Sequence, residues 1–139
     1  MCCFAGSVFG QVKITDLTQK AKVTSLKAKA ARSAPYTVKA VPKELEGFQA
    51  VYVPRGNSQK KGTGFSFKVD VPVTVYLLVD ARRKLKFDGW KKTTLKASWL
   101  AGGKSYNDVI YTKDFPAGVI KIDANPKGCI SHLAVIKKK

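Results

Sequence analysis

The amino-acid sequence predicts an all-β protein folded as an antiparallel β-sandwich. Three observations predict it. Residues 64–90 hold two runs that alternate with the period of a strand. Turn residues punctuate most of the chain every ~8–12 residues, the spacing of short strands in a sandwich or barrel. No pattern repeats at a period of ~20–50 residues, so neither a propeller nor a solenoid is indicated.

The two central runs set the frame. Phe65, Phe67 and Val69 alternate with Ser66, Lys68 and Asp70. Val71-Pro72 then interrupts, because proline donates no backbone hydrogen bond and restricts the residue before it. In the second run Val73, Val75, Leu77 and Val79 point one way, and Thr74, Tyr76 and Leu78 the other. Both faces are largely apolar, which predicts a central strand covered on both sides. A charged loop, Asp80 to Lys84, leaves it and ends at Gly89-Trp90.

Around this pair the remaining elements read in order. Val12 to Thr15 alternates as an opening strand. Residues 16–34 are rich in Ala, Lys and Leu but make only a ragged helical stripe, so a loop with a short strand near Val23–Leu26 is expected. Strands are expected over Tyr36–Val41 and Phe48–Val53, with a turn at Pro42–Gly47 between them. Residues 54–62 read as an exposed basic loop. A short strand is expected within Thr93–Trp99, a turn at Gly102-Gly103, and a strand over Val109–Phe115. Pro116-Ala117-Gly118 reads as a hairpin turn from which Val119–Asp123 returns antiparallel. After a turn at Asn125–Gly128, Ile130–Ile136 is the last strand.

Length and charge bound the function. A chain of 139 residues with 45% hydrophobic content can bury a core without staples. No apolar run approaches the ~20 residues that span a bilayer. Lys and Arg number 26 against 9 Asp and Glu, a formal net charge of +17. Such an excess favours polyanions, whether acidic polysaccharide, nucleic acid or anionic lipid. It equally describes a solvated lysine-rich surface, and the lysines are spread along the whole chain.

Three cysteines (Cys2, Cys3 and Cys129), one histidine (His132) and no CxxC argue against a zinc cluster. Adjacent Cys2 and Cys3 are poorly placed to bond each other. Residues 1–10 resemble the end of a secretory signal peptide, with small residues before Gln11. The expectation is a leader remnant over 1–10, a sandwich domain over 11–139, and a secreted or periplasmic protein. Two rivals stand beside it: a disordered cytosolic tail, and an N-terminal nucleophile at Cys2 after loss of Met1, for which nothing in the sequence supplies partners.

Catalytic signatures are missing. The sequence has no GxSxG, HExxH or P-loop, and its nine carboxylates fall in no catalytic motif. His132 lies in an expected strand, where a lone histidine is usually structural. A non-enzyme is expected. Binding chemistry is better represented, since sugar sites pair an aromatic face with polar side chains that bond hydroxyls. The candidate constellation is Asp80, Arg82, Arg83, Trp90 and Lys91, with Trp99, Tyr106 and Asn107 on the following loops. Arginine can grip a carboxylate or sulfate bidentately. The same residues also fit a core-packing role for the two tryptophans and a solvated loop for the two arginines. No cofactor is expected; oxygens of Asp80, Asp88, Asp108 and Asn107 could reach a calcium ion, but no spaced carboxylate loop argues for one.

Residues 65–136 also carry a resemblance. Val75-Tyr76, Asp80-Ala81-Arg82, Gly89 through Thr93, and Tyr111 through Gly118 occur in an order that resembles the galactose-binding-like modules of secreted bacterial polysaccharide-degrading enzymes and surface proteins. The resemblance implies a jelly-roll sandwich that binds polysaccharide without catalysis. This chain differs in being short and very lysine-rich. The expected function is thus a secreted carbohydrate-binding module with acidic glycans as its preferred class. The alternatives are a structural or protein-interaction sandwich and a nonspecific polyanion or nucleic-acid binder.

Overall fold

The computed structural model describes residues 11–57 and 60–139. The readings of residues 1–10, including the leader remnant and Cys2, lie outside these. The strands are β1 (Ile14–Thr15), β2 (Lys22–Ser25), β3 (Ala31–Ser33), β4 (Tyr36–Ala40), β5 (Gln49–Tyr52), β6 (Phe65–Val69), β7 (Val73–Asp80), β8 (Lys91–Ala101), β9 (Lys104–Phe115), β10 (Gly118–Ile122) and β11 (Leu133–Lys138). They form an antiparallel β-sandwich. One sheet has three strands in the order β1-β6-β10, the other eight in the order β2-β5-β11-β7-β9-β8-β4-β3.

The Val71-Pro72 break is the point where the chain changes sheet. β6 belongs to the small sheet and β7 to the middle of the large one. Phe65, Phe67 and Val69 of β6, with Ile120 and Ile122 of β10, pack on Val73, Val75, Leu77 and Val79 of β7. This layer between the sheets is the first core. The other face of β7 is covered too: Leu78 joins Leu26, Val38, Leu45, Ala50, Ala97, Ile110, Leu133 and Val135 in a second core. The large sheet curls around that second core. An isolated bridge joins Ala34 to Pro54, and the Arg55 N–H donates to the Ala34 carbonyl at 3.0 Å. These contacts bring the β3 edge back to the end of β5 and leave the sheet nearly closed.

Several expectations are corrected. The short strand expected near Val23–Leu26 is β2, but residues 16–34 also contain a second strand, β3, held by pairing with β4 rather than by a pattern of its own. β8 is longer than Thr93–Trp99 because it pairs with β9 on both sides of a register shift between Lys92 and Lys96. There Thr93 Oγ1 donates to the Ile110 carbonyl at 2.8 Å and accepts from the Leu95 N–H at 3.1 Å. β9 begins at Lys104, so Trp99, Tyr106 and Asn107 lie in strands and not in loops. Val119–Ile122 does not return along β9. It pairs with β6 in the other sheet, since Ile120 and Ile122 are buried against the phenylalanines there. The basic loop over 54–62 is not wholly exposed: Arg55 is half-buried and Gly62 is buried.

One charge sits at the centre of the curled sheet. Arg32 of β3 is 0% exposed. Its Nε and Nη2 donate to the two carboxylate oxygens of Asp108 on β9, both at 2.9 Å. Nη2 also donates to the Leu78 carbonyl at 3.0 Å, and Nη1 to the Ser131 carbonyl at 2.6 Å. A buried charge is tolerated only when paired and hydrogen-bonded in this way. The bonds tie an edge strand to β7, to β9 and to Ser131 in the segment ahead of β11.

His132, just before β11, is buried with neither ring nitrogen hydrogen-bonded, and its ring meets Phe87 edge-on at 5.4 Å. Burial first, and the nearby Arg32 charge second, push its pKa down to about 3.

Two outcomes follow. Arg32→Met leaves Asp108 buried and unpaired, and should cost about 3–5 kcal/mol in urea unfolding, most of it recovered in the Arg32→Met/Asp108→Leu double variant. Below the unfolded pKa of 6.5 the unfolded chain binds a proton at His132 that the folded chain refuses until about 3. Stability should therefore be full above pH 6.5 and fall by about 1.4 kcal/mol per unit as pH drops below it. The chain has one histidine, so His132→Met should abolish the slope between pH 6 and 4.5 in unfolding titrations.

Candidate functional site

The mouth of the curled sheet is a cleft of about 490 Å³ lined by Tyr36, Arg82, Arg83, Trp99, Tyr106 and the Lys127–Ile130 loop. Each wall has a local cause. β7 ends at Asp80, whose side chain accepts from the Arg82 N–H at 3.1 Å and starts a short 3-10 turn over Ala81–Arg83. Lys84, at φ 45°, ends that turn in the left-handed region. The turn presents two consecutive arginines at the cleft. Opposite, Asn125 braces its loop by donating to the Ile130 carbonyl and accepting from the Lys127 N–H, both at 3.0 Å.

The floor is a row of aromatic rings. Register pairs Trp99 of β8 with Tyr106 of β9, and their rings stack at 4.8 Å. β4 pairs with β8 through Val38 and Trp99, which brings Tyr36 to 5.2 Å from the indole on its other side. A guanidinium closes each end. Arg82 lies over Tyr106 at 4.2 Å, and Arg55 stands over Tyr36 at 5.9 Å. Arg32 lies 5.9 Å from the Trp99 ring inside the sheet. Arg32, Arg55 and Arg82 thus stand against this row, and Arg83, the fourth arginine of the chain, lines the same cleft.

Charge at the cleft is only partly neutralised. Asp80 is 1% exposed and receives Arg82 through Nε at 3.1 Å and Nη2 at 2.8 Å. Burial pushes the Asp80 carboxyl up, but the hydrogen bonds and charge of Arg82, with the charge of Arg83, outweigh it and hold the carboxyl below its usual range. Arg83 Nε lies 3.7 Å from the same carboxylate. Among the described residues, Trp99 Nε1 and Arg83 Nε are buried donors without an acceptor. Half-exposed Cys129 accepts a hydrogen bond from Arg55 Nη1 at 3.4 Å. Cations against aromatic faces suit a ligand that carries oxyanions and apolar ring faces.

Five of the eight residues expected from sequence meet here: Arg82, Arg83, Trp99 and Tyr106 in the lining, and Asp80 behind them. Trp99 is 2% exposed, so it is a floor rather than an open platform. Trp90 stands elsewhere, edge-on to Phe115 at 5.7 Å, in a separate cleft of about 340 Å³ with Phe87, Asp88 and Pro126. Lys91 is exposed at the opposite end of β8 from Trp99. Asn107 is exposed and pairs with Ser98, on the face that alternates away from Tyr106. Of the oxygens considered for calcium, those of Asp80 and Asp108 lie on paired strands but are each engaged by an arginine. Among the described residues, no group of three or more His, Cys, Asp or Glu could hold a metal ion.

Sequence reasoning missed Tyr36, Arg55, Lys127 and Cys129. Their approach depends on pairings across long stretches of chain, which no local pattern encodes. One signal was available: four arginines among so many lysines is a biased use of cations.

No helix of the described residues is long and apolar enough to cross a membrane. No protein-family model and no curated protein matches the chain. Solved structures do. One is a β-glucuronidase from glycoside hydrolase family 2, matched at a TM-score of 0.67 and 14% identity over 86% of this chain and 13% of that one. Another is a glycoside hydrolase family 138 enzyme targeting the pectin rhamnogalacturonan II, at a TM-score of 0.51 and 15% identity over 92% of this chain and 17% of that one. The chain therefore spans a small fraction of either enzyme. At such identities the likeness is one of fold: this sandwich is a β architecture also found within carbohydrate-active enzymes.

Proposed function

We propose that the chain is a non-catalytic carbohydrate-binding module that takes an acidic glycan at the cleft of Tyr36, Arg82, Arg83, Trp99 and Tyr106, and that it works in a secreted or periplasmic setting. One observation carries the reading: Arg32, Arg55 and Arg82 stand against one row of aromatic rings, and Arg83, the chain's fourth arginine, lines the same cleft. Sugar rings offer C–H faces to aromatic planes, and uronate or sulfate groups suit guanidinium forks. The fold shared with parts of glycoside hydrolases supports a carbohydrate context. The non-catalytic reading is supported by the state of the buried carboxylates, since Asp80 and Asp108 are each committed to an arginine.

The deciding measurement is binding of the full chain to neutral polysaccharides, uronate-rich polysaccharides and DNA at low and high salt. Saturable binding to a uronate-rich glycan should persist in moderate salt, and Tyr106→Ala should weaken it roughly tenfold by removing the ring beneath Arg82. Trp90→Ala, in the other cleft, should have a smaller effect. Binding to every polyanion, DNA included, that vanishes steeply with salt would instead make the module a nonspecific polyanion binder. Binding to nothing would favour a structural or protein-interaction role.

A further inference from the structure

The two arginines presented at the cleft differ in what they have left to give. Arg82 spends Nε and Nη2 on Asp80 and rests its plane on Tyr106. Arg83 makes no hydrogen bond among the described residues; its closest anionic atom is Asp80 Oδ2, 3.7 Å from Nε. One carboxylate therefore faces two guanidiniums and is hydrogen-bonded to only one of them. The Arg83 side chain is 34% exposed and lines the cleft, so its terminal nitrogens remain available.

Gly128 accounts for where Arg83 lies. This glycine is buried, and it is not among the residues with positive φ, so its backbone would accept another residue. A side chain there would instead take the space that Arg83 occupies. A Cβ at position 128 would stand 2.8 Å from Arg83 Nε, 2.9 Å from Nη2 and 3.0 Å from Cζ. The guanidinium thus lies directly on the Gly128 backbone, between the bracing loop and Asp80, which limits the rotamers it must lose when it binds.

We infer that Arg83, seated on Gly128, is the oxyanion fork of the cleft and takes one carboxylate or sulfate group through its terminal nitrogens, while Arg82 serves as the aromatic-backed wall beside it. The inference deepens, and rests on, the reading of this cleft as the ligand site. Lys127 in the lining adds a further charge. A lysine at position 83 would keep the charge but lose the planar fork.

The test is an NMR titration of the isotope-labelled full chain with inorganic sulfate, followed at the Arg83 Nε–H and the Gly128 amide, with galacturonate and galactose 6-sulfate as parallel arms. The expected result is a saturable shift at both positions. Gly128→Ala and Arg83→Lys should each weaken it roughly tenfold or more. Gly128→Ala should leave the melting temperature nearly unchanged, because the added methyl meets only the end of a flexible side chain. Lys96→Ala, which removes an equal charge from exposed β8 surface, should not alter the titration. The inference is overturned if Arg83 does not respond, if Gly128→Ala binds as the parent does, or if Lys96→Ala costs as much as Arg83→Lys. Saturation by sulfate without response to either sugar would keep the anion site and discard the glycan reading. A response to one sugar only would identify the oxyanion as carboxylate or sulfate.

Discussion

The buried pair of Arg32 and Asp108 is the constraint on which the site depends. A guanidinium with no solvent exposure needs its donors satisfied inside the protein. Here the partners come from three places that are far apart in sequence: the Asp108 carboxylate, the Leu78 carbonyl and the Ser131 carbonyl. These partners can be met together only if β3 folds back across the mouth of the large sheet. Ser33 extends the same seam, accepting from the Ser131 N–H at 3.2 Å. The pair is thus a geometric clamp more than a source of net stability, because desolvation of both ions offsets much of their attraction.

Closing the sheet has a consequence for the cleft. Arg32 on β3 comes under Trp99 on β8, and Tyr36 on β4 comes beside the same indole. Without the β3 return, the aromatic row would lose its backing on one side. The second buried carboxylate extends the logic outward. Asp80 stands opposite Asp108 in the β7–β9 register, and two like charges in one buried layer repel. Each is answered by its own arginine, Asp108 from inside and Asp80 from the surface turn. That division puts Arg82 and Arg83 at the rim, where a ligand can reach them.

Much of this was legible in the sequence where one strand could be judged alone. β6 and β7 show clean alternation, and the Pro72 break fell where the chain changes sheet. The turn after Asp80 and its arginines could be read from local composition. The rest was hidden by two physical causes. β3 and the start of β9 are short or polar stretches whose structure comes from their neighbours, as with Ser105, Tyr106 and Asn107 paired to Leu100, Trp99 and Ser98. And pairing partners are a global property. Trp90 and Trp99 look alike in sequence, yet they lie at opposite ends of β8, and Trp90 packs on Phe115 in a different cleft.

The distribution of cations is the strongest argument that the cleft is more than a fold feature. Lysine serves well as a solvated surface charge: it is strongly hydrated, flexible, and needs no fixed partner. This chain uses lysine along its whole length. Arginine is confined to four positions, and the structure brings all four to one place although they lie on β3, on the segment after β5 and on the turn after β7. Solubility alone does not require that convergence, since lysines at the rim would supply the same charge. Structural need accounts for Arg32, which fills the interior, and Asp80 accounts for Arg82. Arg83 has no such debt, lying on a glycine and reaching no hydrogen-bond acceptor. A planar guanidinium held by one loose ion pair, beside aromatic rings, suits recognition of a bound oxyanion.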